Sequence, residues 1–505
     1  SYMRVNLIAV DEAHCISQWG YDFRPPYLRI ADLRELHPAV PVLALTATAT
    51  AEVCDDIAQK LHFSEPNIFR QSFERKNISY VVQQDENKLR KMLDVARGVK
   101  GSGIVYVRSR KETAEIAEFY NENGFKADHY HAGLTMEQRS ARQADWRNNR
   151  TRIIVATNAF GMGIDKPDVR FVIHKDIPDS LEAYYQEAGR AGRDEQKAYA
   201  VLLYTPADRL KNEKKLLSAF PSVDEIRTVY HQLGNHYHLA YGTGQGLSFD
   251  LDPGEFCARY KLDPAKTLNA LKFLEQDEYL AFTESVFLPS RFRFEAGNEE
   301  LYNFQIQNPG WDPFIKTLLR SYGGAFQDYV RLREFDLAKR GNLSVQQVIE
   351  GLQQLEQMGV LSYMQQTDRP QVTYIQPRYH SKDLVINKRY IDERKTTYRK
   401  KMEAVFAYAE HRKCRSRMLL SYFGEDDAQK CGICDVCLDE KRQKNLSETM
   451  DDITAEIVQL LSGEDMDTAE LVTRVRTGTE KDRIETIRLL LDAGKIKTDG
   501  EKYYL

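Results

Sequence analysis

The tetrad Asp11-Glu12-Ala13-His14 follows the apolar run Leu7-Ile8-Ala9-Val10. Two adjacent carboxylates at the end of a buried strand can divide the labour of nucleotide hydrolysis. Asp11 would hold Mg2+, largely through water, and Glu12 would orient and polarise the attacking water, with His14 beside them. A second group of chemistry-bearing residues is Gln186-Glu187-Ala188-Gly189-Arg190-Ala191-Gly192-Arg193. Guanidinium groups are needed where negative charge spreads over a transferring γ-phosphoryl group, and Arg193, with Arg190 beside it, suits that task. Between these motifs stand Leu45-Thr46-Ala47-Thr48-Ala49, whose hydroxyls could bond back to the carboxylates or His14 or simply cap a helix. There follow Tyr130-His131-Ala132-Gly133-Leu134 and the run Ile153–Asp165. In that run Gly161 and Gly163 permit close backbone approach to a nucleotide, and Asp165 can reach a ribose or a neighbouring arginine.

A different chemistry lies near the C-terminus. Cys414, Cys431, Cys434 and Cys437 give C-x16-C-x2-C-x2-C. Two x2 steps put three thiolates around one knuckle, and the fourth can complete a tetrahedron. Four soft thiolates suit Zn2+, with an iron–sulfur cluster as the chemical alternative and disulfides as the lesser one. With every coordination position filled by protein, the role is structural. Cys15, Cys54 and Cys257 stand apart, which favours a reducing, intracellular setting.

The elements that must position these groups follow from periodicity. Strands are predicted at Leu7–Val10, Val42–Leu45, Ile104–Val107, Ile153–Ala156, Val169–Ile173 and Ala200–Tyr204, with helices at Lys111–Asn123 and Met136–Asn148 between them. This alternation predicts parallel α/β layers, divided by a linker near Ser72–Asp85. From about residue 224 helix pairs lead into short strands, with an internal echo. Leu271–Glu275 leads to Glu278-Tyr279-Leu280, Leu352–Glu356 to Gly359-Val360-Leu361, and Leu489–Asp492 to Gly494-Lys495-Ile496. Helix, tight stop and strand suit a winged helix or plain helical packing with a hairpin. Residues 387–417 are strongly basic, either a solvated helix face or a phosphate contact. Net charge over the 505 residues is −4, so phosphate binding must come from local patches. No apolar run approaches a membrane span.

The order DEAH, TAT, YHAGL, ATNAFGMGID, QEAGRAGR resembles the superfamily-two helicases. The segment Cys15-Ile16-Ser17-Gln18-Trp19-Gly20-Tyr21-Asp22-Phe23-Arg24-Pro25 narrows the resemblance to the RecQ family of DNA helicases. There it forms an aromatic-rich loop that senses single-stranded DNA. Trp19 and Phe23 can stack on bases without regard to sequence, and Arg24 can contact a phosphate; the resemblance adds Gln18 to these DNA contacts. The resemblance extends to Phe73, Arg75 and Asn77, to Tyr106–Arg110 and to the cysteine module, and it suggests Ser109, Arg110 and Thr157 as further DNA contacts. It implies two RecA-like parallel-sheet lobes, the first incomplete, followed by helical zinc-binding and winged-helix-type domains. The expected boundaries are 1–75 and 76–215 for the lobes, 224–380 for a winged-helix-type insertion, 385–445 for basic helices with zinc, and 450–505 for a C-terminal winged-helix-like domain.

The implied activity is ATP-dependent 3′-to-5′ unwinding of duplex DNA in recombination and repair, with ATP, Mg2+ and Zn2+ as cofactors. The implied partners are single-stranded DNA, duplex junctions and repair proteins such as a single-strand-binding protein; the implied setting is intracellular, at the nucleoid if bacterial. The sequence departs from the family in two ways. No G-x-x-x-x-G-K-[ST] occurs in it, so the first lobe is expected to continue upstream and this stretch alone to lack ATP turnover. The zinc module follows Arg193 at an unusual distance. A non-catalytic DNA-binding protein of winged-helix and zinc modules is the alternative; an RNA helicase is disfavoured by the aromatic loop and zinc module.

Overall fold

The apolar runs form parallel strands, as their β-branched content and lack of alternation require. The structure is a computed structural model that describes residues 5–17, 25–161, 164–283, 290–364 and 370–505. Two units divide the chain: residues 1–213 with 396–505, and residues 214–395.

In the first unit, β1 (Ile8–Val10) pairs in parallel with β2 (Val42–Ala44). Six further strands form one parallel sheet: β3 (Ile78–Gln84), β4 (Ser102–Tyr106), β5 (Ala127–Tyr130), β6 (Ile153–Ala156), β7 (Val169–His174) and β8 (Ala198–Tyr204). Their order is β3-β8-β7-β4-β6-β5. Reading Ser72–Asp85 as a linker needs correction, because Ile78–Gln84 is the edge strand of this sheet. Its alternation of Ser79, Tyr80 and Gln83 hides it from an apolar-run criterion. β5, Ala-Asp-His-Tyr, is concealed for the same reason. Gly103 marks where the sheet closes most tightly, since a Cβ there would lie 2.1 Å from the Phe171 ring.

The same unit ends in a small helical domain. The helix Asp435–Leu461 leads to Thr468–Arg474, Glu480–Asp492 and the hairpin β15 (Lys497–Thr498) with β16 (Tyr503–Tyr504). Met466 bridges Tyr503, so β16 lies between two neighbours.

Two winged-helix modules, one nested in the other, make up the second unit. The outer module comprises helices Val223–His236, Pro253–Tyr260 and Pro264–Gln276 with β9 (Ser248–Asp250), β10 (Leu280–Thr283) and β14 (Gln371–Tyr374), in sheet order β10-β14-β9. Between its wing strands β10 and β14 sits a complete second module. This holds β11 (Arg291–Phe294), helices Asn298–Gln307 and Asp312–Ser321, β12 (Val330–Arg331), helices Glu334–Gly341 and Val345–Gln357, and β13 (Leu361–Met364). Its sheet order is β12-β11-β13. The central strand β11 occupies the place of β14 and β16 but precedes its helices, so the inner module is circularly permuted. Each module has its own core, one around Tyr230, Phe256 and Leu271, the other around Phe292, Ile315 and Leu352.

The sequence echo is a shared turn. Helices end with Glu278 at φ 57°, Gly359 at φ 73° and Gly494 at φ 67°. The next amide in each case donates back to a buried leucine carbonyl: Tyr279 to Leu274, Val360 to Leu355 and Lys495 to Leu490, at 2.9–3.0 Å. This is a helix stop that satisfies orphan carbonyls and turns the chain into a strand. In the two nested modules a glutamate one turn earlier also accepts the strand's amide, Glu275 from Phe282 at 3.0 Å and Glu356 from Tyr363 at 2.9 Å. The third copy has Leu491 at that position and lacks the bond.

Gly103→Ala should destabilise the first unit by about 1–3 kcal/mol through overpacking, read as a lower urea midpoint. Gly98→Ala, with nothing within 4 Å of the added carbon, should be neutral or slightly stabilising. Equal midpoints for the two variants would contradict the packing at Phe171.

Candidate nucleotide cleft and metal centre

At the end of β1 the chain leaves the sheet through Glu12, which adopts φ 50°, ψ 42°. A non-glycine residue in the left-handed region costs free energy and is held here by its surroundings. Ala13 donates to the Leu45 carbonyl at 2.9 Å, tying the turn to the end of β2. His14 is buried; its Nδ1 lies 3.3 Å from the Glu12 carboxylate and 3.1 Å from the Thr46 hydroxyl. The amide of Thr48 leans on the same hydroxyl at 3.4 Å. The expectation that TAT hydroxyls reach His14 is met by Thr46, while Thr48 turns elsewhere. Its hydroxyl accepts from Gln186 Nε2 at 2.9 Å, across to the second lobe. A polar chain therefore runs from Glu12 through His14, Thr46 and Thr48 to Gln186.

Gln186 projects from the helix Leu181–Ala188, capped by Ser180. Past that helix, the loop carrying the two arginines is fixed by Arg75 and Asn77. Arg75 donates to the carbonyls of Gly189, Ala191 and Gly192 at 3.0–3.2 Å. Asn77 donates to Gly192 at 2.6 Å and Gln196 at 2.9 Å. The sequence marks these two residues only by resemblance; their positioning role needs the fold.

A cleft of about 610 Å³ is lined by Glu12, His14, Tyr106, Asn158, Gly161, Gln186 and Arg190. Arg190 reaches it with a buried Nε that has no hydrogen-bond partner among the described residues. Beside it Tyr106 stacks on His174 with centroids 5.3 Å apart, and His174 Nε2 lies 2.8 Å from Glu187. Burial pushes the Tyr106 phenol up, the nearby Arg190 opposing, so the hydroxyl stays protonated and donates to the Phe160 carbonyl at 2.8 Å. Arg193 is placed differently: it pairs with Asp165 at 2.8 Å and donates to the Ile164 carbonyl at 3.2 Å. Asp165 thus meets the arginine, the second of the two uses its position allows. Asp11 is exposed and accepts from the Glu12 amide at 2.8 Å.

Among the residues assigned to DNA contact, Ser109 caps the helix Arg110–Glu122 and Arg110 opens it. Thr157 is buried, its hydroxyl accepting from the Ala159 amide at 3.4 Å. Gln18, Trp19, Phe23 and Arg24, and the nucleotide-loop residue Gly163, lie outside the described residues. In the basic stretch 387–417, four of the eleven cations are engaged with acids among the described residues. Arg389 pairs with Glu393, Lys401 with Glu182, Arg412 with Asp439 and Arg415 with Asp435.

The four clustered cysteines converge. Their sulfurs all lie within 4.8 Å of one another, and Cys414 and Cys431 are 3.6 Å apart. Zinc–sulfur bonds of about 2.3 Å in a tetrahedron place sulfurs about 3.8 Å apart, so the set fits Zn2+. The crowded thiols share protons: donation from Cys431, then Cys434, pulls Cys414 far below the ordinary thiol range, and the same sharing pushes Cys431 up. Cys434 also caps the helix Asp435–Leu461 by accepting from the Cys437 amide at 3.5 Å.

Three family models match this architecture. Residues 85–195 match the helicase conserved C-terminal domain, 292–365 the RecQ helicase winged-helix domain of Bacteroidota, and 381–438 the RecQ zinc-binding domain. The ATP-dependent DNA helicase RecQ of Pasteurella multocida is 45% identical over 218 residues, covering 43% of this chain and 34% of the relative. That of Bacillus subtilis is 48% identical over 206 residues, covering 40% and 35%. The RecQ-like DNA helicase BLM of Xenopus laevis is 47% identical over 205 residues, covering 39% and 15%. The chain spans about a third of the length of the bacterial relatives it matches. Parallel sheets, cleft and motif order define the superfamily-two helicase class. Within that class the zinc-binding and winged-helix matches identify a chain of the RecQ family.

Elemental analysis of the purified chain should give about one zinc per chain, and Cys434→Ser should abolish stoichiometric retention. An iron chromophore, or full retention of zinc by the variant, would overturn the assignment.

Proposed function

We propose that this chain is the motor-and-DNA-binding part of an ATP-dependent DNA helicase that separates strands with 3′-to-5′ polarity in recombination and repair. The observation that carries the reading is the polar chain Glu12–His14–Thr46–Thr48–Gln186, which joins the DEAH turn to the helix that leads into the arginine loop, beside a cleft lined by Arg190. Asp11 would hold Mg2+ and Glu12 would polarise the attacking water. The unpartnered Nε of Arg190 offers a desolvated cation to phosphate oxygens, and Arg193 is its companion, released from Asp165. Gly163 and Asp165 would border the nucleotide. A shift of Gln186 relative to Thr48 would tie lobe movement to the state of the hydrolytic turn.

Single-stranded DNA and duplex junctions are the proposed partners, with Gln18, Trp19, Phe23, Arg24, Ser109, Arg110 and Thr157 as contacts and a single-strand-binding protein among possible associates. A DNA substrate places the work inside the cell, at the nucleoid in a bacterium. No helix among the described residues is long and apolar enough to cross a membrane.

The test uses the full-length protein. DNA-stimulated ATP turnover and unwinding of a 3′-tailed duplex are expected. Glu12→Gln should reduce turnover at least about a hundredfold while leaving DNA binding intact. Normal turnover in that variant would refute the catalytic assignment, and DNA binding without ATP turnover in the unaltered protein would favour a purely DNA-binding role. Trp19→Ala should leave basal turnover unchanged and remove its stimulation by single strands; undiminished stimulation would remove Trp19 from the sensing role.

A further inference from the structure

We infer that the inner winged-helix module binds the phosphate backbone of duplex DNA through the outer face of its sheet, with Arg291, Arg293 and Arg331 as the contacts, rather than through its recognition helix. The inference rests on DNA as the partner proposed above and adds a site to it.

The helix that occupies the recognition position, Val345–Gln357, carries five glutamines and two glutamates and no lysine or arginine. Such a surface offers phosphates no cation. The sheet in front of it is the reverse. Along β11 the side chains alternate, Phe292 and Phe294 facing the core and Arg291 and Arg293 facing out. Arg291 stands directly across from Arg331 on β12 and from Met364 on β13, and Arg293 stands across from Ser362. Tyr329 organises the face: its ring centre lies 5.4 Å from the Arg291 guanidinium and 5.1 Å from that of Arg293. Its hydroxyl hydrogen-bonds Ser362 at 3.0 Å.

Like charges directly opposite on neighbouring strands destabilise a sheet. The usual remedy is a carboxylate between them. Arg293 has one, Glu295 at 2.7 Å, with Asp328 also nearby. Neither Arg291 nor Arg331 forms an ion pair among the described residues, and both are exposed. Two facing guanidiniums, one of them over an aromatic ring, make a fork for anionic oxygens. The partner's geometry follows from Tyr329. Its ring is already engaged by two guanidiniums, so the face offers cations without a stacking platform. Single strands are bound by stacking as well as charge, whereas a duplex presents phosphates outward with its bases enclosed. The face therefore fits duplex DNA, contacted without regard to sequence.

The experiment is fluorescence anisotropy with the whole chain, a labelled blunt duplex and a single strand of equal length, titrated across salt. Arg291→Glu/Arg331→Glu should weaken duplex binding at least about tenfold and lower the salt slope by about two counterions. Arg291→Lys/Arg331→Lys should retain most of the affinity. Lys339→Glu/Arg340→Glu makes the same charge change on the helix packed beneath the sheet and should have a smaller effect. Circular dichroism and melting temperature should be unchanged, because all four side chains are exposed. Duplex affinity and slope equal to wild type in the first variant would overturn this site while leaving the proposed function standing. An equal loss in the helix variant would reduce the effect to net charge and overturn it too, as would a loss confined to the single strand. A wild-type chain that binds neither DNA would overturn the proposed function itself.

Discussion

The interlock around residues 72–84 is the constraint on which the first unit depends. β3 is a sheet edge, and an edge leaves backbone groups that need partners. Here the cysteine module supplies one and adds a side-chain tie: the Val82 amide donates to Asp435 at 3.2 Å, and the Ser79 hydroxyl donates to the Ile433 carbonyl at 2.5 Å. Just upstream, Glu425 accepts from the Ser72 hydroxyl and the Phe73 amide at 2.6 and 2.7 Å, and Phe73 stacks on Phe423 with centroids 4.3 Å apart. Two residues further on, Arg75 grips the loop that carries Arg190 and Arg193. One short segment thus ties metal module, sheet edge and arginine loop together. A metal remote from the chemistry can act on it by holding Asp435 and Ile433 in register.

How much of this was readable depended on the kind of signal. Strands whose residues are buried on both faces, such as Ile-Ile-Val-Ala at 153–156, announce themselves by composition. β3 does not, because its polar Ser79, Gln83 and Gln84 break the apolar run, and the partners of its free edge come from Ile433 and Asp435. The cysteine spacing predicted the metal centre because ligand geometry is nearly a local property. The union of Thr48 with Gln186, 138 residues apart, has no local signature: the sequence around Thr48 points only to the carboxylates, to His14 or to a helix cap. Arg75 and Asn77 looked like connecting residues, and their target carbonyls carry no sequence signature at all. Arg193 was preferred over Arg190 as the phosphate-facing arginine from motif order; the fold instead puts Arg190 at the cleft and Arg193 on Asp165.

The nested modules show how a local rule survives a topological rearrangement. A wing hairpin normally closes through a short loop, since closing a chain costs entropy that grows with the loop. In the outer module the segment between β10 and β14 folds on its own core, so its ends are brought together by packing and the cost is met there. The same insertion explains the permutation. A module entered and left through a wing must have its own wing strands as its termini, which puts β11 first and β13 last. The Glu275 and Glu356 bonds to the strand amides persist in both modules because they need only the helix–turn–strand segment, which permutation leaves uncut.

Charge is used in opposite ways in the two arginine-rich parts of the chain. Between residues 387 and 417 four of the eleven cations meet carboxylates among the described residues, Arg415 buried against Asp435 and Lys401 half-buried against Glu182. A buried ion pair fixes geometry at a desolvation cost, so Arg415 serves packing of the cysteine module. On the inner module's sheet far fewer arginines stand in a place where pairing would be easy, yet two of them face each other with no acid paired to either among the described residues. Cation count along a sequence is therefore a poor guide to anion binding in this protein. The informative feature is where a cation left unmatched stands after the fold has placed its acids, and β11 and β12 set two of them directly opposite one another.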